Sequence, residues 1–214
     1  MRDLSVKGVA RRFKGISGDF EVLNSIFGVS AISGTVSLRS KLEKLAHWEY
    51  VSEESECTYE WTAAYQQIWT HVAVRIRLIP TLGTVTDEVI NGLKLEWQDE
   101  IQTIWNNRWA CARSGELPCR LSFEAQWVDA EAHHTVWVWP GSGRANMKRW
   151  FEISKRTAAH EFGHMLGNAD EYFNMFCLNR NPVNTGTIMD DGTDVPSRLV
   201  QQHGDNIGSD IVAP

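Results

Sequence analysis

The chain has 214 residues, with 21 Lys and Arg against 27 Asp and Glu, a net charge of −6. This length suits one to one and a half domains and buries roughly 70 % of the unfolded surface, so a core needs no staples. At 22 % charged and 43 % apolar residues the composition is globular, and its acidic balance speaks against nucleic acid as a partner.

From the start of the chain, Met1–Ala10 lacks the apolar segment of a secretory signal. A cytoplasmic protein, or one exported by a signal-free route, is expected. Nor does any run reach the ~18 apolar residues of a membrane span. Residues 1–60 carry little periodicity and are read as an N-terminal extension or subdomain of unknown role, ahead of a main domain over 61–214. Within them, Ser30–Leu38 is rich in β-branched residues, Leu38–Trp48 fits a short helix or a strand pair, and Glu53–Glu56 is a solvated acidic turn.

Order is plain after that. In 71–79, Val72, Val74, Ile76 and Leu78 alternate with Arg75 and Arg77, a half-buried strand ended by Pro80. Ile90, Leu93, Trp97, Ile101, Ile104 and Trp105 recur at helical spacing and predict a long amphipathic helix over 87–107. Gly92 inside it reads as a point of close approach. Leu121, Phe123, Ala125 and Trp127 alternate in a second strand, 119–128. A third, His134–Trp139, is apolar on both faces and so is expected to be central or covered. His133 and His134 are adjacent, point to opposite faces, and cannot serve one site. A short edge strand is expected near 150–153.

Seven of the ten tryptophans lie between 97 and 150 and suggest both core packing and a cleft wall. Of the four cysteines, Cys111 and Cys119 bracket a polar loop that a disulfide can close in an oxidising compartment, leaving Cys57 and Cys177 as the other pair. The alternative is four reduced thiols.

Ser154 is placed as the N-cap of a helix over 155–166, with Gly167 as its C′ residue. That helix carries His160-Glu-Phe-Gly-His164. Positions i and i+4 share a face, so both imidazoles reach one metal, while Glu161 is angled towards a water on that metal as a general base. The stretch continues Met-Leu-Gly167-Asn-Ala-Asp170-Glu-Tyr172. A turn at Gly167 lets the chain double back and present Asp170 as the third ligand, with Glu171 the rival for that place and Tyr172 unassigned. Phe162, Met165 and Leu166 fall on the core face. About twenty residues on, Thr185–Gly192 is a turn-rich segment with one apolar methionine, Met189.

These residues resemble the metzincin-type zinc metallopeptidases, whose pattern is HExxHxxGxxH or HExxHxxGxxD followed by a Met-turn. The resemblance covers roughly residues 70–207. It implies one catalytic Zn2+ held by His160, His164 and Asp170, Glu161 as general base, Gly167 as the turn glycine and Met189 packed under the metal. It also implies an α+β, zincin-like fold: a twisted mixed sheet, a long backing helix, an active-site helix, and a small irregular C-terminal subdomain closed by a helix, here 196–203. An extended peptide would pair with an edge strand between Trp139 and Ile153, where Arg144 would meet a substrate carboxylate or carbonyl and the tryptophans a hydrophobic subsite.

The expected function is therefore a zinc-dependent endopeptidase acting on a protein or peptide by metal-activated water, possible as a secreted effector or toxin. The alternatives are a non-catalytic zincin-like protein-binding module and a metal hydrolase of a non-peptide amide. Asp190, Asp191 and Asp194 are read as a solvated turn ahead of a calcium site, and His203 as a supporting residue at most.

Overall fold

A computed structural model describes residues 16–24, 30–39, 60–81, 85–153, 156–174 and 180–214, with side chains described from Ala63 onward. In chain order the strands are β1 (Ile16–Asn24), β2 (Ser30–Arg39), β3 (Glu60–Ile68), β4 (His71–Pro80), β5 (Ala110–Ala112), β6 (Cys119–Arg120), β7 (Ser122–Trp127), β8 (His134–Trp139), β9 (Arg149–Phe151) and β10 (Asp210–Val212). The helices are α1 (Asp87–Trp105), α2 (Thr157–Met165) and α3 (Gln201–Ile207). The architecture is α+β. None of these helices is long and apolar enough to cross a membrane.

A mixed sheet runs β1-β2-β3-β4-β8-β9, with β7 also on β4. β1 to β4 pair antiparallel, whereas β4 is parallel to both β7 and β8, and β8 to β9. The Ile76 carbonyl accepts from Val128 N–H and the Arg75 carbonyl from His133 N–H. Adjacent carbonyls on a strand point to opposite edges. Hence β7 lies along one edge of β4, and β8 continues the other edge where β3 leaves it. The hairpin of β1 and β2, drawn from the first 60 residues, extends the same sheet through β3. A second, small sheet is ordered β10-β5-β6.

Side-chain alternation decides which face carries the helices. Val72, Val74 and Ile76 of β4 and Val136 and Val138 of β8 are buried in one core with α1 and α2. β8 is internal as its sequence suggests, but its other face is open among the described residues, with Trp137 41 % and Trp139 39 % exposed. Of the two expectations for this strand, central or covered, the central place is the one it takes. These two rings line an open groove of about 470 Å³ with Asn146, Lys148 and Arg149, on the face away from Val136 and Val138. The others pack inside: Trp97 meets Trp150 edge to face at 4.9 Å, and Trp105 Nε1–H donates to the Ala159 carbonyl at 2.9 Å, tying α1 to α2.

α1 buries the six residues its periodicity picks out, starts under a Thr86 N-cap, and ends at Trp105 rather than 107. Asn106 stops it by turning its amide onto the backbone of Phe123. Gly92 marks no close approach, since a Cβ there would meet nothing within 4 Å. α2 begins at Thr157 behind Arg156, whose φ is +68°; the expected cap, Ser154, lies outside the described residues. The closing helix is displaced from 196–203. Residues Ser197–Leu199 form a 3-10 turn, Val200 at φ −118° breaks the run, and α3 follows until Gly208, left-handed at φ +64°. Cys111 and Cys119 are register partners across β5 and β6, yet both thiols are free. Cys57 and Cys177 lie outside the described residues.

Candidate metal centre

α2 presents His160 and His164 one turn apart, and the backbone settles which nitrogen of each ring faces the cleft. His160 Nδ1 lies 2.7 Å from the Ile188 carbonyl and His164 Nδ1 2.7 Å from the Asn168 carbonyl. A carbonyl only accepts, so both Nδ1 atoms carry the proton and both Nε2 atoms keep a lone pair. Each Nε2 is 3.2 Å from the same atom, Asp170 Oδ1. Three electron-pair donors therefore converge within 4.8 Å of one another. Such a set repels itself unless a proton or a cation sits among its members. His160, His164 and Asp170 can hold a metal ion.

The electrostatics agree. Burial opposes ionisation of Asp170, but when the rings also carry a proton on Nε2, in the place a cation would take, the hydrogen bonds it accepts from them hold it well below the usual carboxylate range. Burial likewise opposes charging of His164, and the Asp170 carboxylate overrides it and raises the imidazole. The cluster favours positive charge at its centre.

The loop that delivers Asp170 is built from three features. Gly167 takes φ +102°, a backbone that side chains disfavour, and its N–H closes the helix onto His164. Asn168 then bonds back to the Gly163 carbonyl through both its backbone and its side-chain amide. Glu171, the rival ligand, points elsewhere. Its carboxylate accepts from Thr185 Oγ1 (2.7 Å), Thr187 Oγ1 (2.6 Å) and both terminal nitrogens of Arg198. Burial raises the Glu171 carboxyl, yet Arg198 and the two hydroxyls bring it below its ordinary value. Glu171 N–H also donates to the Met189 carbonyl at 2.7 Å. This residue is a clamp between the ligand loop and the turn that bears Met189.

Met189 is fully buried, and a Cβ on Gly163 would come within 2.3 Å of its sulfur. The thioether thus lies against α2 at the glycine between the two histidines. Glu161 stands beside His160, 5 % exposed, with its carboxyl raised by burial against the pull of the neighbouring imidazoles. Its Oε2 is buried with no hydrogen-bond partner. A buried carboxylate oxygen left unpaired is costly, and it fits a site built to receive a further polar group.

Two cations frame the centre. Arg180 approaches the second oxygen of Asp170 at 3.5 Å and lies 4.6 Å over the Tyr172 ring. That ring stacks on His160, and its hydroxyl accepts from Arg144 Nη2 at 3.2 Å. Sequence reading left Tyr172 open and missed Arg180 and Arg198, which no spacing marks.

The remaining described histidines are core or surface groups. His203 is fully buried against Tyr65 and Phe123, donates from Nδ1 to Gln67, and is pushed down to about 3 by burial. His133 pairs with Arg75 and His134 with the Ala64 backbone, and burial lowers both to about 4. Asp190 closes its own turn by accepting from Gly186 N–H, as a turn residue does. Comparison with protein-family models, with curated proteins and with solved structures finds no match to this chain.

Proposed function

We propose that this protein is a zinc-dependent endopeptidase of the metzincin type, with a zincin-like arrangement of sheet, backing helix α1 and active-site helix α2. One observation carries the reading: two imidazole Nε2 atoms and one carboxylate oxygen converge beside a buried glutamate with an orphaned oxygen. Two nitrogens and one oxygen are a donor set that suits zinc and leaves a coordination position open. Zinc in that place supplies Lewis acidity towards a peptide carbonyl and makes water a better nucleophile.

The chain's own groups do the rest. The Ile188 and Asn168 carbonyls hold both rings in the Nδ1–H tautomer, so the lone pairs stay aimed inward. Glu161 Oε2 takes the proton from the attacking water and returns it to the departing amine nitrogen, a double duty helped by a carboxyl raised through burial. Asp170 is steadied by Arg180, and Met189 keeps the floor of the site apolar.

The test is metal analysis joined to a casein-cleavage assay on wild type and Glu161→Gln. Zinc near one per chain in both, with cleavage lowered by about 10²–10⁴ in the variant, supports the reading. Full activity in the variant overturns the mechanism, and a zinc-loaded wild type that cleaves nothing points to the binding-module alternative.

A further inference from the structure

The helical period sets His160 against His164, but it does not set the pair against Asp170 or the Ile188 carbonyl, which stand on other segments. α2 is nine residues long. Isolated helices shorter than ~12–15 residues are marginal in water, so its place comes from what holds it. Its own sequence offers little at the start. Arg156 precedes it in a left-handed conformation, makes no side-chain capping bond, and is followed by a first turn without an acid. The first four N–H groups of a helix have no partner within it.

Helix α1 supplies what is missing. Glu100 Oε1 accepts from Ala159 N–H, one of those groups, at 3.1 Å. Five residues on, Trp105 Nε1–H donates to the carbonyl of the same Ala159 at 2.9 Å. Ala159 is fully buried, so water does not compete for it. Both polar ends of one alanine are thus gripped from α1, and the next residue is the ligand His160. Burial raises the Glu100 carboxyl, while the Ala159 amide and the charge of Arg156 act against the rise. A carboxylate at this end also complements the helix dipole. The tolerance on the other side of His160 is small. Its Nδ1 lies 2.7 Å from the Ile188 carbonyl, and a slide of ~1 Å along the helix takes such a bond out of range.

Resting on the metal-centre reading, we propose that Glu100 is a positioning residue: it caps α2 from the backing helix and, through Ala159, sets where His160 stands in the metal group. The helix then carries its ligands to the loop ligand Asp170 in a register that α1 decides.

The experiment measures three quantities on the full chain: zinc affinity by chelator competition, the visible spectrum of the Co2+-loaded protein, and stability in urea. Glu100→Ala is expected to weaken zinc binding about 10-fold and to alter the cobalt bands, as when a group that orients a ligand is lost. Glu100→Gln keeps both the reach and an acceptor oxygen, so it should stay within about threefold and keep the wild-type spectrum. Leu93→Ala opens the core under the same helix two turns away, and should lower the urea midpoint without moving either metal readout. A Glu100→Ala protein with wild-type affinity and spectrum overturns the proposal, as does Leu93→Ala if it weakens zinc equally. If Glu100→Ala does not fold, Glu100→Asp decides in its place. Its carboxylate is drawn back by about 1.5 Å, and the same loss is expected. Nitrogen NMR of the metal-free chain separates this inference from the reading it rests on. There the wild-type His160 ring should hold its Nδ1–H form and the Glu100→Ala ring should not, and a ring unchanged by the substitution overturns the positioning role. If wild type takes up neither zinc nor cobalt, the metal-centre reading fails by itself, and the NMR arm still decides the role of Glu100.

Discussion

Helix α2 and the loop that follows it contribute to the same metal group by different means. In α2, the spacing of His160 and His164 follows from 3.6 residues per turn, and nothing distant is needed to set it. From Gly167 to Asp170 the chain has no regular structure, and Asp170 reaches the histidines because Glu171 is clamped by Arg198, Thr185 and Thr187. A ligand on a helix is placed locally, whereas a ligand on a loop is placed by whatever holds the loop.

The hardest break falls on the helix. His164→Ala removes a donor that no neighbour replaces, so zinc content after dialysis should fall from about one per chain to near zero. On the proposed endopeptidase reading, cleavage should drop at least about 10³-fold, as expected when the metal is lost. Next is Glu171→Ala, which strips the loop of its clamp while leaving every ligand in place. Glu171 is buried but Arg198 is 40 % exposed, so water screens the cation left behind and the loss is about 1.5–3 kcal/mol, that of hydrogen bonds to a charged group, to be read from urea unfolding of the metal-free protein. Zinc affinity, measured by competition with a chelator, should weaken about 10–100-fold. Retained affinity would mean that the loop is ordered without the clamp.

A smaller effect is expected where helix and loop meet. Gly163→Ala places a methyl 2.3 Å from the Met189 sulfur and 2.9 Å from Trp105. Overpacking of that kind costs about 1–3 kcal/mol. The double variant with Met189→Ala should recover part of the loss, a coupling that separate sites would not show.

The smallest effect lies under both segments, at His203. Its folded value, about 3, is below the ~6.5 of an unfolded histidine. Between those limits the unfolded chain binds more protons, so the stability is intact above pH 6.5 and drains away as pH falls towards 3. Urea midpoints should drop between pH 7.5 and 5.5 by about 1 kcal/mol for this group. His203→Gln should flatten that slope, and an unchanged slope would place the acid sensitivity elsewhere.

Much of the centre was legible in the linear order because it is local. The His160 and His164 pair, the Gly167 turn and the six buried residues of α1 depend on helical period and on glycine's freedom at positive φ. Asp170 over Glu171 could be argued from the turn, and the geometry places Asp170 with the histidines and Glu171 with Arg198. What misled is equally specific. β8 was expected to be central or covered, and only its neighbours show that it is central with the Trp137 and Trp139 face open among the described residues. The closing helix was set too early because Pro196 marks a start, while the bend at Val200 and the stop at Gly208 arise from packing. β3 escaped notice because its buried alternation, Ala63, Tyr65 and Gln67, includes a polar residue whose partners, His203 and Asn206, lie some 140 residues away.

By itself the amino-acid sequence determined the local chemistry: which residue types stand one helical turn apart, where the chain can reverse, and which helix face is apolar. These follow from short-range sterics and periodicity, which a few consecutive residues contain in full. Tertiary structure alone decided the proton on each imidazole, the clamp on Glu171, the seat of Met189 against Gly163 and the bond from Arg144 to the Tyr172 hydroxyl. Each depends on a partner brought close only by folding, and hydrogen bonds and charges act over a few ångströms whatever the separation along the chain.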